Sequence, residues 1–173
     1  MIFLQIPTVG YDNNFTYIIG DEKTKAAAVI DPAGLNEKVE KEAENKGLKI
    51  KYIINTHSHE DHTIGNNFFL KRGARLIDED FSLGKIKITM IRTPGHSTDS
   101  KCILAENKLF TGDTLFVGGI GAVHFEGGSE KEMRKSIGKL MKLKEDIEVW
   151  PGHNYGEKTH STIGEEKKTN PFI

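Results

Sequence analysis

A layered α/β fold in a single domain is the class that the sequence predicts, and three observations carry it. Strand-like and helix-like runs follow one another along the chain, turn signals separate them, and no linker, low-complexity stretch or repeat interrupts the 173 residues. A chain of this length with 36% hydrophobic residues suits one compact body with a real core. Periodicity by itself leaves other α/β arrangements open.

The elements can be taken in order. Apolar runs at residues 15–19 and 26–30 flank Gly20-Asp21-Glu22-Lys23, a hairpin pattern. Asp31-Pro32-Ala33-Gly34 breaks the chain, and Leu35, Val39 and Ala43 follow at helical spacing with Gly47 placed as a C-terminal cap. Tyr52-Ile53-Ile54 is a strand core that stops at Asn55, and residues 64–70 read as a helix ended by Gly73. Strands are predicted again at 86–91, 102–104 and 109–110. Met133, Ile137, Leu140 and Met141 mark one face of a helix begun near Ser129, with Glu132 placed for a capping box. Residues 147–150 form a last strand, and the tail from Asn154 carries no strong pattern.

Composition narrows the function. The formal net charge is -1 with 28% charged residues, which gives no electrostatic argument for nucleic acid or an anionic membrane as partner. A small-molecule substrate is the expected partner. The Lys and Glu residues of 36–46 read as a solvated helix face. No apolar run has the length of a membrane span, and residues 1–10 lack the basic region and cleavage site of a leader, so cytoplasm is expected. The one cysteine, Cys102, excludes an internal disulfide and fits a reducing compartment. Its strand-like surroundings predict a small buried apolar side chain rather than a nucleophile.

The chemistry is concentrated in the histidines. After the strand at 52–54 the chain reads Asn55-Thr56-His57-Ser58-His59-Glu60-Asp61-His62, placing three imidazoles and an aspartate within six residues. His57 and His59 project to one side if the strand is still extended there, and Asp61 and His62 can point at a second position as the chain turns. Neutral imidazole nitrogens and carboxylate oxygens are the donors that zinc and related divalent metals take. Thr93-Pro94-Gly95-His96, Thr111-Gly112-Asp113-Thr114 and Trp150-Pro151-Gly152-His153 share a form, a strand ending in a turn that presents a polar residue. Each alone is an ordinary turn. Together they add two imidazoles and a carboxylate to the first cluster.

Thr56-His57-Ser58-His59-Glu60-Asp61-His62, with His96, Asp113 and His153 following in order, resembles the signature of the metallo-β-lactamase superfamily over nearly the whole chain. The stretches from Gly112 to Gly119 and from Pro151 to Tyr155 are especially similar to the glyoxalase II branch. The resemblance implies a four-layer αβ/βα sandwich and two divalent metal ions, zinc in the first place, with iron or manganese as alternatives. Carried over by motif, His57, His59 and His96 hold one metal, Asp61, His62 and His153 the other, and Asp113 bridges both. His124 and His160 match no ligand motif.

Two such metals share a water and lower its pKa, so hydroxide can attack a carbonyl while a metal stabilises the oxyanion. Asp61 both ligates and orients the nucleophile. The implied reaction is hydrolysis of an activated acyl bond, a thioester or a lactone. Many lactamases of the superfamily carry Cys where this chain has Asp113, which disfavours lactamase activity. The chain departs from glyoxalase II where a basic residue grips glutathione, since Ala122 follows Gly119-Ile120-Gly121. Only 20 residues follow His153, too few for the C-terminal helical domain of that branch, and of its carrier contacts Tyr155 alone is retained. Persulfide dioxygenases are the rival class, binding one iron through residues that match His57, His96 and Asp113. A non-catalytic metal-binding module is a second rival, which the intact ligand set opposes.

Overall fold

The computed structural model describes residues 1–8 and 12–173. The chain divides into two compact units, Met1–Thr89 and Met90–Ile173. Part of the N-terminal stretch read above for a leader, residues 9–10, lies outside the described residues.

The first unit opens with β1 (Ile2–Thr8), β2 (Asn14–Gly20) and β3 (Ala26–Ile30), an antiparallel meander. Helix α1 (Asn36–Asn45) then crosses over to β4 (Lys49–Ile54), which pairs parallel to β3. Two short helices, α2 (Glu60–Thr63) and α3 (Asn66–Leu70), lead to the parallel edge strand β5 (Arg75–Leu76), giving the order β1-β2-β3-β4-β5. The helices exist to cover this sheet. Val39 and Ala43 of α1 and Phe69 of α3 pack with Ile18, Val29 and Ile53 in one core, making the unit a sheet layer and a helix layer. The hairpin β6 (Phe81–Leu83) and β7 (Ile86–Arg92) follows, and β7 runs across the division between the units.

The helix expected at 64–70 begins at Asn66, as α3, and a separate short helix, α2, precedes it. Gly65 separates them because its amide donates to Pro32 O at 2.8 Å, which holds the break against the turn after β3.

The second unit contributes β8 (Lys101–Ala105), β9 (Lys108–Gly112), β12 (Glu148–Pro151) and β13 (Ser161–Thr162), ordered β13-β12-β9-β8 within a six-stranded sheet. A small hairpin, β10 (Leu115–Phe116) with β11 (Gly119–Ile120), follows β9. Helix α4 (Glu130–Leu140) begins where expected, with Ser129 Oγ accepting from Glu132 N. Met133, Ile137 and Leu140 of α4 pack with Cys102, Leu109 and Val149. The tail, expected to be featureless, forms α5 (Ile163–Thr169) behind a full Thr162–Glu165 capping box, and Ile163 anchors it in the same core. Cys102 is wholly buried, and that burial pushes its thiol up to about 11.

The fold class is therefore a mixed α/β chain with two large sheets and few helices. In each unit one parallel strand pair sets the position of chemistry, because side chains beyond the carboxyl ends of parallel strands emerge at one end of the sheet. Ile30 lies opposite Ile54 in the first unit, and Pro151 lies opposite Gly112 in the second.

Candidate metal-binding residues

In the first unit the strand ends at Ile54, before the histidines, so the condition on which His57 and His59 would project from extended strand is not met. The chain is drawn off the sheet by Asp31, which follows β3 and accepts from Thr56 N at 2.7 Å. The histidines nevertheless converge. The ring of His57 lies 4.5 Å from that of His59 and 4.2 Å from that of His62. His57 and His62 are fully buried, while His59 caps α2 with extended backbone. Asp61 Oδ2 lies 3.3 Å from His62 Nε2, and Asn14 Nδ2 donates to that carboxylate at 2.9 Å.

Asp31 governs two of these imidazoles. Its Oδ2 accepts from Thr56 Oγ1 at 2.6 Å and from His62 Nδ1 at 2.9 Å. A carboxylate oxygen can only accept, so the proton of His62 sits on Nδ1. Thr56 Oγ1 gives its own proton to Asp31 and so must accept from His57 Nδ1, 3.1 Å away. Both rings are thereby fixed as the tautomer with a lone pair on Nε2, the form a metal takes. Asp31 itself is buried at a φ of 48°, and Thr16 Oγ1 holds its carbonyl at 2.7 Å. In the sequence Asp31 reads only as part of a turn, Thr56 only as the start of the histidine motif, and Asn14 carries no signal.

In the second unit Asp113 follows β9, His153 follows β12 and His96 follows β7. Asp113 Oδ2 lies 3.5 Å from His96 Nε2 and 3.3 Å from His153 Nε2. His96 Nδ1 donates to the carbonyl of Ala122 at 2.7 Å, which fixes this ring too with its lone pair on Nε2. Backbone packing makes this possible. A Cβ at Gly121 would fall 1.7 Å from Asp113 O, and one at Gly95 would fall 2.5 Å from Met133 Cα, so glycine alone lets these turns close. Helix α4 seats the second turn through Ser136 Oγ, which donates to Pro94 O at 2.7 Å.

Tyr155 is half exposed and stacks on His153 with ring centroids 4.8 Å apart and planes 5° from parallel. His160 stacks instead on Trp150, and His124 lies against Phe125, so neither joins a ligand cluster in its unit. The structure thus brings His57, His59, Asp61 and His62 together in the first unit, and His96, Asp113 and His153 together in the second. Each set mixes imidazole with carboxylate and shows the outer hydrogen bonds that fit a divalent cation. Among the described residues, no helix is long and apolar enough to cross a membrane.

Comparison with known proteins agrees with this chemistry. The profile of the Metallo-beta-lactamase superfamily matches residues 9–74 and 75–153. A probable hydroxyacylglutathione hydrolase of Schizosaccharomyces pombe is 30% identical over 98% of this chain and 86% of its own length. A probable polyketide biosynthesis zinc-dependent hydrolase, BaeB of Bacillus velezensis, is 30% identical over 93% of this chain and 82% of its own. Among solved structures, ETHE1 from Myxococcus xanthus aligns with a TM-score of 0.89 at 30% identity, covering 99% of this chain and 84% of that one. With its two sheets, its ligand motifs and these matches in agreement, the chain belongs to the metallo-beta-lactamase superfamily, as a metal-binding hydrolase similar to the hydroxyacylglutathione hydrolases.

Proposed function

We propose that the chain is a cytoplasmic binuclear hydrolase that cleaves an activated acyl bond, a thioester in the first place. In this reading His57, His59 and His96 serve one metal, Asp61, His62 and His153 the other, and Asp113 both. Zinc is the metal proposed, with iron and manganese as alternatives. One observation carries the reading: the Nδ1 protons of His57, His62 and His96 are directed to Thr56, Asp31 and the Ala122 carbonyl, which leaves each Nε2 in its metal-binding form.

When bound, such metals supply hydroxide at neutral pH and polarise a carbonyl. The chain's own residues do the rest. Asp61, steadied by Asn14, orients the attacking water, and Tyr155 beside His153 meets the thiol carrier. Ala122 offers no cation to glutathione, and its carbonyl is engaged by His96. A panel of S-lactoylglutathione, other thioesters, lactones and a persulfide tests the proposal. The expected result is metal-dependent thioester hydrolysis, with S-lactoylglutathione turned over at a high KM. A KM as low as that of a dedicated glutathione thioesterase would overturn the reading of Ala122. Lactones turned over in preference to thioesters would make the enzyme a lactonase. Oxygen uptake with the persulfide by an iron-loaded enzyme, without hydrolysis, would replace the proposal with a mononuclear dioxygenase using His57, His96 and Asp113. Failure to turn over any of them would favour a metal-binding module.

A further inference from the structure

The second unit contains a buried carboxylate that the proposed reaction does not use. Glu166, in α5, is 1% exposed, and its Oε2 accepts from Gly118 N at 3.0 Å and from Asn170 Nδ2 at 2.8 Å. Asn170 Nδ2 also donates to Gly119 O at 3.0 Å, and its Oδ1 accepts from Phe172 N at 3.1 Å. The tip of the β10–β11 hairpin is therefore held by two side chains of the C-terminal helix, on a donor at Gly118 and an acceptor at Gly119. Two side chains that bond neighbouring backbone groups of one tight turn make a directional attachment.

What the hairpin touches gives the attachment a purpose. Thr114 alone separates its first arm from Asp113, and that arm places Phe116 against His153, with ring centroids 6.0 Å apart. Its second arm runs on into Gly121, packed on the backbone of Asp113, and Ala122, whose carbonyl orients His96. One short hairpin thus borders all three ligand candidates of this unit, and two paired residues per arm are too few to fix it unaided.

We infer that Glu166 and Asn170 are positioning residues for His96, Asp113 and His153, acting through the β10–β11 hairpin. The inference rests on the proposed reading of those three as metal ligands. Loss of the clamp lets the hairpin shift, which relaxes the Ala122 carbonyl from His96 Nδ1 and the turn that presents Asp113. The Ala122 carbonyl is the outer-shell partner of His96, and loss of such a partner changes metal affinity by about 10–100-fold.

The experiment is a cobalt(II) titration of the full chain, read by visible absorption, alongside urea unfolding of the metal-free protein. Glu166→Ala and Asn170→Ala should each weaken cobalt binding by about tenfold or more and alter the absorption bands. Glu166→Gln keeps an acceptor oxygen for Gly118 N and should bind close to wild type. Ile163→Val thins the core under α5 without touching the clamp, so it should lower the urea midpoint and leave cobalt affinity unchanged. If Glu166→Ala does not fold, Asn170→Ala decides the question. Wild-type cobalt affinity in both alanine variants that fold would overturn the inference, as would equal loss in Ile163→Val. Asp113→Asn separates the two levels of the argument. If it also binds like wild type, the ligand reading fails and takes this inference with it; if it loses cobalt while the clamp variants do not, only the inference fails.

Discussion

Asp31 sits at a φ of 48°, a left-handed conformation that costs a non-glycine residue about 1–2 kcal/mol. Aspartate tolerates it better than most residues, and here the strain is offset by three hydrogen bonds to the carboxylate, from Thr56 N, Thr56 Oγ1 and His62 Nδ1. A single buried carboxylate therefore settles the protonation of two imidazoles and draws the loop after β4 off the sheet. Removing it leaves Thr56 N without its acceptor and both rings at liberty to change tautomer. Asp31→Ala should weaken metal binding by about 10–100-fold, measured by competition with a chromophoric chelator. Asp31→Asn keeps one acceptor oxygen and should lose less. An Asp31→Ala variant that folds and binds metal like wild type would refute the role.

Among the elements, the turn between β2 and β3 shows how local chemistry secures the sheet. Asp21 Oδ1 accepts from Thr24 N at 2.7 Å, and Oδ2 accepts from Lys85 N in the β6–β7 turn at 3.3 Å. The Thr24 amide is the largest cause that lowers the Asp21 carboxyl from 3.8 to about 2. A carboxyl lowered on folding adds stability above its unfolded value, and that contribution is lost as pH falls from about 4 through about 2. Urea midpoints of Asp21→Asn should therefore be lower than wild type at neutral pH, with the difference narrowing through this acid range. A difference independent of pH would show that the charged form is not what the turn holds.

Elements of this size also explain what could be read from the chain. Helices α1 and α4 announce themselves through Val39 and Ala43, and through Met133, Ile137 and Leu140, because a helix covering a sheet must repeat its apolar face. Helix α5 was missed although Thr162 and Glu165 spell a capping box, since Ile163 is its one large buried apolar side chain and a single anchor makes no period. Strands β5, β10, β11 and β13 have two residues each, too short for alternation to show. The ligand candidates were legible because metal donors cluster in sequence motifs. Asp31, Asn14 and Glu166 were not, because each acts through a partner brought near by strand pairing or helix packing, as Ile30 opposite Ile54 brings Asp31 to Thr56.

Across the whole molecule the same device is used twice. A parallel strand pair, β3 with β4 and β9 with β12, ends in turns that carry donors and the groups that orient them. The first unit carries His57, His59, Asp61 and His62, and the second carries His96, Asp113 and His153. Metal binding, as proposed, should stabilise the fold and weaken as protons compete for the imidazoles at lower pH. Zinc content after reconstitution at neutral pH tests this most directly, measured on wild type, Asp113→Asn and His124→Asn by elemental analysis. The account predicts about two equivalents for wild type and for His124→Asn, with occupancy of both sites reduced in Asp113→Asn. Less than about one equivalent in wild type, or equal zinc loss in the two variants, would contradict it.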